Sequence, residues 1–183
     1  MQNQGRIIAF LISILIYSCV ADGQTISGTV NSYYQITAVD GSANTVTVDN
    51  AAGLSAGQRV MLYQAKGAAI NSTNSGSYGD VAAANFAGAY EFNTICSISG
   101  NTVWMLNQLV NPYDPSGQVQ LVTVVSGASI TVGATVTGQG WDPTTGKGGI
   151  VALEASSDIT LNADIDVSGT GITGGSAGEL QFL

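Results

Sequence analysis

The sequence predicts an all-β protein in which a small β-barrel or sandwich is followed by the first coils of a right-handed parallel β-helix, a β-solenoid. Three observations point there. Of 183 residues, 45% are hydrophobic and only 9% charged, with 24 glycines. Surface helices need many Lys, Glu and Arg, so this composition does not fit a helical protein. Two segments resemble each other as hairpins, ITAVDGSANTVTV at 36–48 and ICSISGNTVWML at 95–106. Each has an apolar strand, a turn rich in Gly and Asn, Thr-Val, and a second strand. Finally, LVTVVSGASITVGATVTGQG from Leu121 and IVALEASSDITLNADIDVSG from Ile150 align without a gap at an offset of 29 residues.

The chain opens with a polar start, Arg6, and an apolar run from Ile7 to Val20. That run is shorter than the ~20 residues of a spanning helix. With small residues after it, it reads as a secretory signal peptide over 1–23. Two cleavage readings compete. Ala21-Asp22-Gly23 offers small residues at the positions a signal peptidase reads, which makes Gln24 the first mature residue. Ile16-Tyr17-Ser18-Cys19 loosely resembles a bacterial lipobox, with a bulky Tyr17, and would place a lipid anchor on Cys19. No other stretch is long and apolar enough to span a membrane. The expected location is secreted or on the outer cell surface, reached through secretion machinery.

Residues 24–118 read as the small β domain. Val60-Met61-Leu62-Tyr63 has few polar breaks and suits a strand buried on both faces. Residues 66–90 interrupt the strand pattern with turn chemistry, and Val81–Phe86 reads as a helical turn. Cys96, in an apolar run, reads as a small core residue. Residues 119–183 read as the start of the solenoid. Val122 matches Val151, Val124 matches Leu153, Ile130 matches Ile159, Val132 matches Leu161 and Val136 matches Ile165. These mostly alternate positions would share one side of a strand. The competing reading is chance similarity among Val- and Thr-rich strands of a sandwich. Solenoids need roughly three or more stacked coils and end caps. An uncapped Gln181-Phe182-Leu183 end therefore gives the expectation of a piece of a longer protein.

Charge and composition exclude several chemistries. Four Lys or Arg against twelve Asp or Glu give a net charge of −8, which cannot neutralise a row of phosphates, so nucleic acid is not an expected partner. With no His, a Ser-His-Asp triad, a His-ligated zinc and a His general base are all ruled out. Calcium is the one cofactor the residues suggest, at Asp158, Asp164 and Asp166. Carboxylate oxygens suit that ion, and Asp164-Ile165-Asp166 would point both carboxylates outward. The alternative is solvated charges on an outer face. Glu91, Asp80, Asp142, Glu154 and Asp158 form no pair with a diagnostic spacing for acid and base work. Only Arg59, Lys66 and Lys147 could hold an acidic sugar, and no enzyme activity is expected. Tyr78, Phe86, Tyr90, Tyr113 and Trp141 lie in or beside loops, where aromatic faces can stack on sugars or anchor partners. Tyr78, Asp80 and Tyr90 are the expected ligand-binding residues, toward a surface polysaccharide or another cell-surface component.

Three segments carry a resemblance: GQRVMLYQAKG at 57–67, AGAYEF at 87–92 and GGIVAL at 148–153. They are similar to the opening region of very large secreted surface proteins of Bacteroidota-type bacteria, which are adhesin-like or gliding-motility-associated and are exported by a type IX system. The resemblance covers most of residues 25–175 and its motifs are structural. It implies a non-catalytic N-terminal module of a secreted adhesin or structural protein. The alternative is the front part of a β-helical polysaccharide-degrading enzyme.

Overall fold

The computed structural model describes residues 23–172. The expected signal peptide, apart from Gly23, lies outside the described residues, as do Cys19 and the Gln181–Leu183 end. The described strands in chain order are β1 (Gly23–Thr29), β2 (Tyr33–Asp40), β3 (Thr45–Val48), β4 (Arg59–Gln64), β5 (Ala69–Ile70), β6 (Val81–Ala83), β7 (Tyr90–Ser99), β8 (Thr102–Met105), β9 (Val119–Thr123), β10 (Val125–Thr137) and β11 (Leu153–Leu161). One 3₁₀ turn, Pro115–Gly117, precedes β9. Among the described residues, no helix is long and apolar enough to cross a membrane.

Six strands close into an antiparallel barrel in the order β2-β3-β8-β7-β4-β9, with β9 pairing back onto β2. Closure removes the unpaired edges that a six-stranded open sheet would present. Period-2 alternation sends Ile36, Val46, Val48, Val60, Leu62, Ile95, Val103, Val119 and Leu121 into one core, with Leu109 and Tyr113 packed in the same cluster. Each fully buried aliphatic side chain contributes about 1.5–3 kcal/mol. The two similar hairpins occupy matched places: β2–β3 and β7–β8 lie side by side, joined by β3 against β8. Cys96 is exposed rather than core. The register slips between Ile95 and Ser97, so Cys96 is the extra residue of a bulge and its side chain leaves the inward phase. Val81–Ala83 is a strand and not a helical turn, paired with β5 to make the small hairpin of the 66–90 excursion.

The second sheet is parallel, in the order β1-β10-β11. Ile26, Val132 and Leu161 share one register position, and Gln24, Ile130 and Ile159 share another. The 29-residue offset is therefore a real coil repeat over Ser129–Val132, and Val136 bridges Ile165 at the same spacing. It does not hold at the start of the coil. A bulge between Gly127 and Ser129 pairs Val125 with Leu153, so Val124 and Leu153 are not partners. Val122, expected in the solenoid, is a barrel residue, because β9 is the sixth barrel strand.

The solenoid thus begins before the barrel. β1 is its first strand among the described residues, and the barrel (residues 31–124) is inserted between that strand and the next. Amide side chains fix the junction. Asn31, buried where the chain leaves β1, donates through Nδ2 to Thr123 O and Ala152 O at 2.7 and 2.8 Å and accepts from Ala152 N at 3.1 Å. Gln120, fully buried on β9, donates to Gly148 O at 3.0 Å and accepts from Gly148 N at 2.9 Å. Between them, Tyr33, Met61, Val122, Val124 and Ala152 form a second apolar cluster, which explains why Met61 and Val122 are buried on the barrel's outer side.

Candidate functional site

The outer face of the β4–β7 pair escapes this cover at one end. Leu62 opposes Glu91 and Val60 opposes Asn93 on the inward face, so the outward face shows Tyr63 opposite Tyr90 and Met61 opposite Phe92. Met61 is buried by the solenoid junction and Tyr63 is half-buried, while Tyr90 is 61% and Phe92 38% exposed. Large aromatic rings on paired strands of a closed barrel are held in place without ordering a loop, so a partner meets a preformed surface. Tyr90 and Phe92 pack edge to face, with centroids 6.3 Å apart and planes at 88°.

A charged pair frames the aromatics. The Arg59 guanidinium lies over the Phe92 ring, 5.5 Å from its centroid. Its Nε and an Nη donate to the two carboxylate oxygens of Glu154 at 2.6 and 3.0 Å. Arg59 is on β4 and Glu154 on β11, so this bidentate pair joins barrel to solenoid. Hydrogen bonding from Arg59 holds the Glu154 carboxyl below its ordinary value, against a smaller opposing effect of burial. Burial pushes the Tyr63 phenol up from its ordinary value.

The expected binding residues divide. Tyr90 belongs to this aromatic face. Tyr78 and Asp80 do not line it: they lie in the turn joining β5 to β6, where Tyr78 N donates to Ser75 O and Asp80 O accepts from Asn71 N. Tyr78 is 67% exposed. Of the other loop aromatics, Phe86 is exposed, whereas Tyr113 and Trp141 are buried. Burial drives the Tyr113 phenol strongly upward, with the nearby Glu91 charge acting in the same direction.

The three candidate calcium ligands are also divided. Asp164 and Asp166 share the turn after β11 with Asn162 and Ser168, and Asp166 accepts from Ser168 N at 2.9 Å. That bond lowers the Asp166 pKa. Asp158 sits back on β11, bonded to Ser157 Oγ at 2.8 Å, and no group of three acidic or thiol side chains converges among the described residues. The sequence reading missed Phe92 and the Arg59–Glu154 pair. Phe92 stands two residues from Tyr90 on one strand, so the alternation of Tyr90-Glu91-Phe92 was the available signal. The ion pair spans 95 positions and carries no local signal.

Together these features define a β-solenoid fold with a closed barrel inserted between its described strands β1 and β10 and an aromatic face displayed at the junction. No family model matches the chain, and no curated protein matches it. It is similar to solved phage tailspikes. The Gp54 tailspike of Acinetobacter baumannii bacteriophage AP22, solved in complex with A. baumannii capsular saccharide, shares 13% identity over 75% of this chain and 22% of that one, with a TM-score of 0.38. The tailspike gp49 of Pseudomonas phage LKA1 shares 21% over 63% of this chain and 20% of that one, with a TM-score of 0.34. The tailspike gp61 of Pseudomonas phage phi297 shares 17% over 60% and 20%, with a TM-score of 0.36. The chain spans about a fifth of the length of these proteins. Likeness at this level bears on neither ligand nor activity.

Proposed function

We propose that this chain is a non-catalytic, glycan-binding module of a secreted cell-surface protein, of the adhesin-like or structural kind that its sequence resembles. The observation that carries the reading is the rigid Tyr90–Phe92 pair, exposed on the barrel beside Arg59 and Glu154. Such an aromatic face suits the apolar face of a sugar ring, with the Tyr63 hydroxyl and Glu154 oxygens at its margin for sugar hydroxyls. The ligand class is a neutral polysaccharide. Arg59 is held by Glu154 and Lys147 by Asp49 at 2.7 Å, so among the described residues Lys66 is the one exposed cation outside an ion pair, set against a net charge of −8 that disfavours an acidic glycan. Support for the non-catalytic part comes from the carboxyls. Asp40, Asp142, Glu154 and Asp166 are each held low by hydrogen bonds they accept from neighbouring residues, the role of a carboxylate that fixes a turn or a junction.

Affinity gel electrophoresis tests this reading. The chain should be retarded in gels containing neutral polysaccharides and should run freely in acidic ones. Changing Tyr90 and Phe92 to Ala should abolish the retardation, and no reducing ends should appear. Release of reducing ends, or retardation that persists in the double variant, would overturn it.

A further inference from the structure

A second feature lies at the same end of the barrel, where β4 ends and β7 begins. A cleft of about 450 Å³ is lined by Gly67, Asn85, Phe86, Pro112, Asp114 and Ser116, within the roughly 300–1,000 Å³ range of small-ligand sites. One wall is the base of the 66–90 excursion and the other is the loop before β9. The buried Gln64 amide ties both walls. Its Nε2 donates to Lys66 O and Asn85 O at 2.8 and 2.9 Å, and its Oε1 accepts from Asp114 N at 3.0 Å. Gln64 is fully buried, so the rung between the walls is shielded from water and their separation is fixed. The walls meet closely enough that a Cβ at Gly117 would stand 2.4 Å from Lys66 O.

Two neighbouring residues are held in the left-handed region, Asn85 at φ 44° and Phe86 at φ 61°. For a bulky residue such as Phe86 this conformation costs energy and persists only where the surroundings impose it. Here the Gln64 and Gly67 hydrogen bonds to Asn85 impose it, and Phe86 is left 48% exposed at the cleft. The side-chain chemistry of the lining is one-sided. Asp114 Oδ1 accepts from Ser116 N, leaving its second oxygen available, and Asn85 spends its Nδ2 on Gly67 O, leaving its oxygen available. Ser116 adds a hydroxyl, Phe86 and Pro112 supply apolar surface, and no basic side chain is among the described residues that line the cleft.

We infer that this cleft is a second glycan subsite, which takes one neutral pyranose unit by stacking on Phe86 and accepting its hydroxyl protons at Asp114 and Asn85. The inference rests on the glycan-binding reading above and extends it. A polysaccharide held at Tyr90 would be gripped again at the barrel's end, and an anionic sugar would be refused by Asp114.

Isothermal titration with neutral oligosaccharides of increasing length tests it on the full chain. Phe86→Asn removes the ring while keeping a residue that tolerates positive φ. Asp114→Asn keeps the oxygen that accepts from Ser116. Each should weaken binding of the longest ligand at least fivefold, and Tyr78→Ala should leave it unchanged. If the ligand binds and depends on Tyr90 while both cleft variants stay within twofold of the parent, the subsite is wrong and the module reading stands. If no neutral ligand binds at all, the module reading itself fails. Binding of an acidic oligosaccharide to the parent as tightly as its neutral counterpart would overturn the assigned ligand class.

Discussion

Ile130 and Ile159 are direct partners in the parallel sheet, yet Ile130 is fully buried and Ile159 is 43% exposed. The difference is one of stacking. Ile130 lies on β10, flanked by β1 and β11, whereas β11 has a neighbour on one side only among the described strands. Leu161 shows the same effect at 61% exposure beside the fully buried Val132. Replacing Ile130 with Ala should cost about 2–5 kcal/mol, the usual range for a buried aliphatic. Replacing Ile159 with Ala should cost less than about 1 kcal/mol. Urea midpoints at unchanged slope would report both. Equal costs would mean that the face of β11 is covered in solution.

The Arg59–Glu154 pair gives a pH-dependent prediction. A carboxyl whose folded-state pKa lies below its unfolded value stabilises the fold at higher pH, and that contribution is lost as pH falls through the folded value. For Glu154 the contribution is present above its ordinary 4.5 and fades below it. With the Glu154 side chain 43% exposed, solvent screening limits the pair to about 0.2–1 kcal/mol. Glu154→Gln should therefore lower the urea midpoint at pH 7, and the gap to the parent should close as pH drops below 4.5. A gap independent of pH would assign the loss to packing.

Gln64 offers a test of buried amide wiring. Gln64→Met keeps the length of the side chain but leaves Asp114 N, Lys66 O and Asn85 O without their partner. Orphaned buried polar groups cost about 1–3 kcal/mol each, and part of the loss is recovered where water enters. A destabilisation of about 2 kcal/mol or more is expected, with faster hydrogen exchange at the Asp114 amide. Unchanged exchange there would show that Gln64 does not hold the loop.

Gly148 is required by a close approach. It adopts φ 97°, and a Cβ would lie 2.4 Å from Gly140 O. Gly148→Ala should break the Gln120 pairing and loosen the junction, lowering the thermal midpoint by several degrees for a cost of about 2 kcal/mol. A neutral outcome would show that the 138–149 segment can shift without consequence.

The coil repeat was legible because Ile130/Ile159 and Val132/Leu161 keep alternate apolar positions at one spacing. The first coil was not. In β1 only Ile26 is a large apolar residue, and its partner Val132 lies beyond the whole inserted barrel. β9 was assigned to the wrong unit because both its faces are buried, one in the barrel core and one at the junction. Its apolar run therefore continues without a break into β10. The barrel hairpins were legible from their turns. Gln64, Gln120 and Asn31 were not, since a polar residue in a strand pattern reads as outward-facing until its backbone partners are known. Of the binding face, Tyr90 was legible as an aromatic beside a loop. Arg59 and Glu154 meet only through the topology.

The most direct measurement is hydroxyl-radical footprinting of the chain with and without a bound neutral oligosaccharide. Tyr90 and Phe92 should lose reactivity on binding, while Trp104, 37% exposed on β8, should not change. Saturating ligand that leaves Tyr90 and Phe92 as reactive as in the free chain would contradict the assignment of this face.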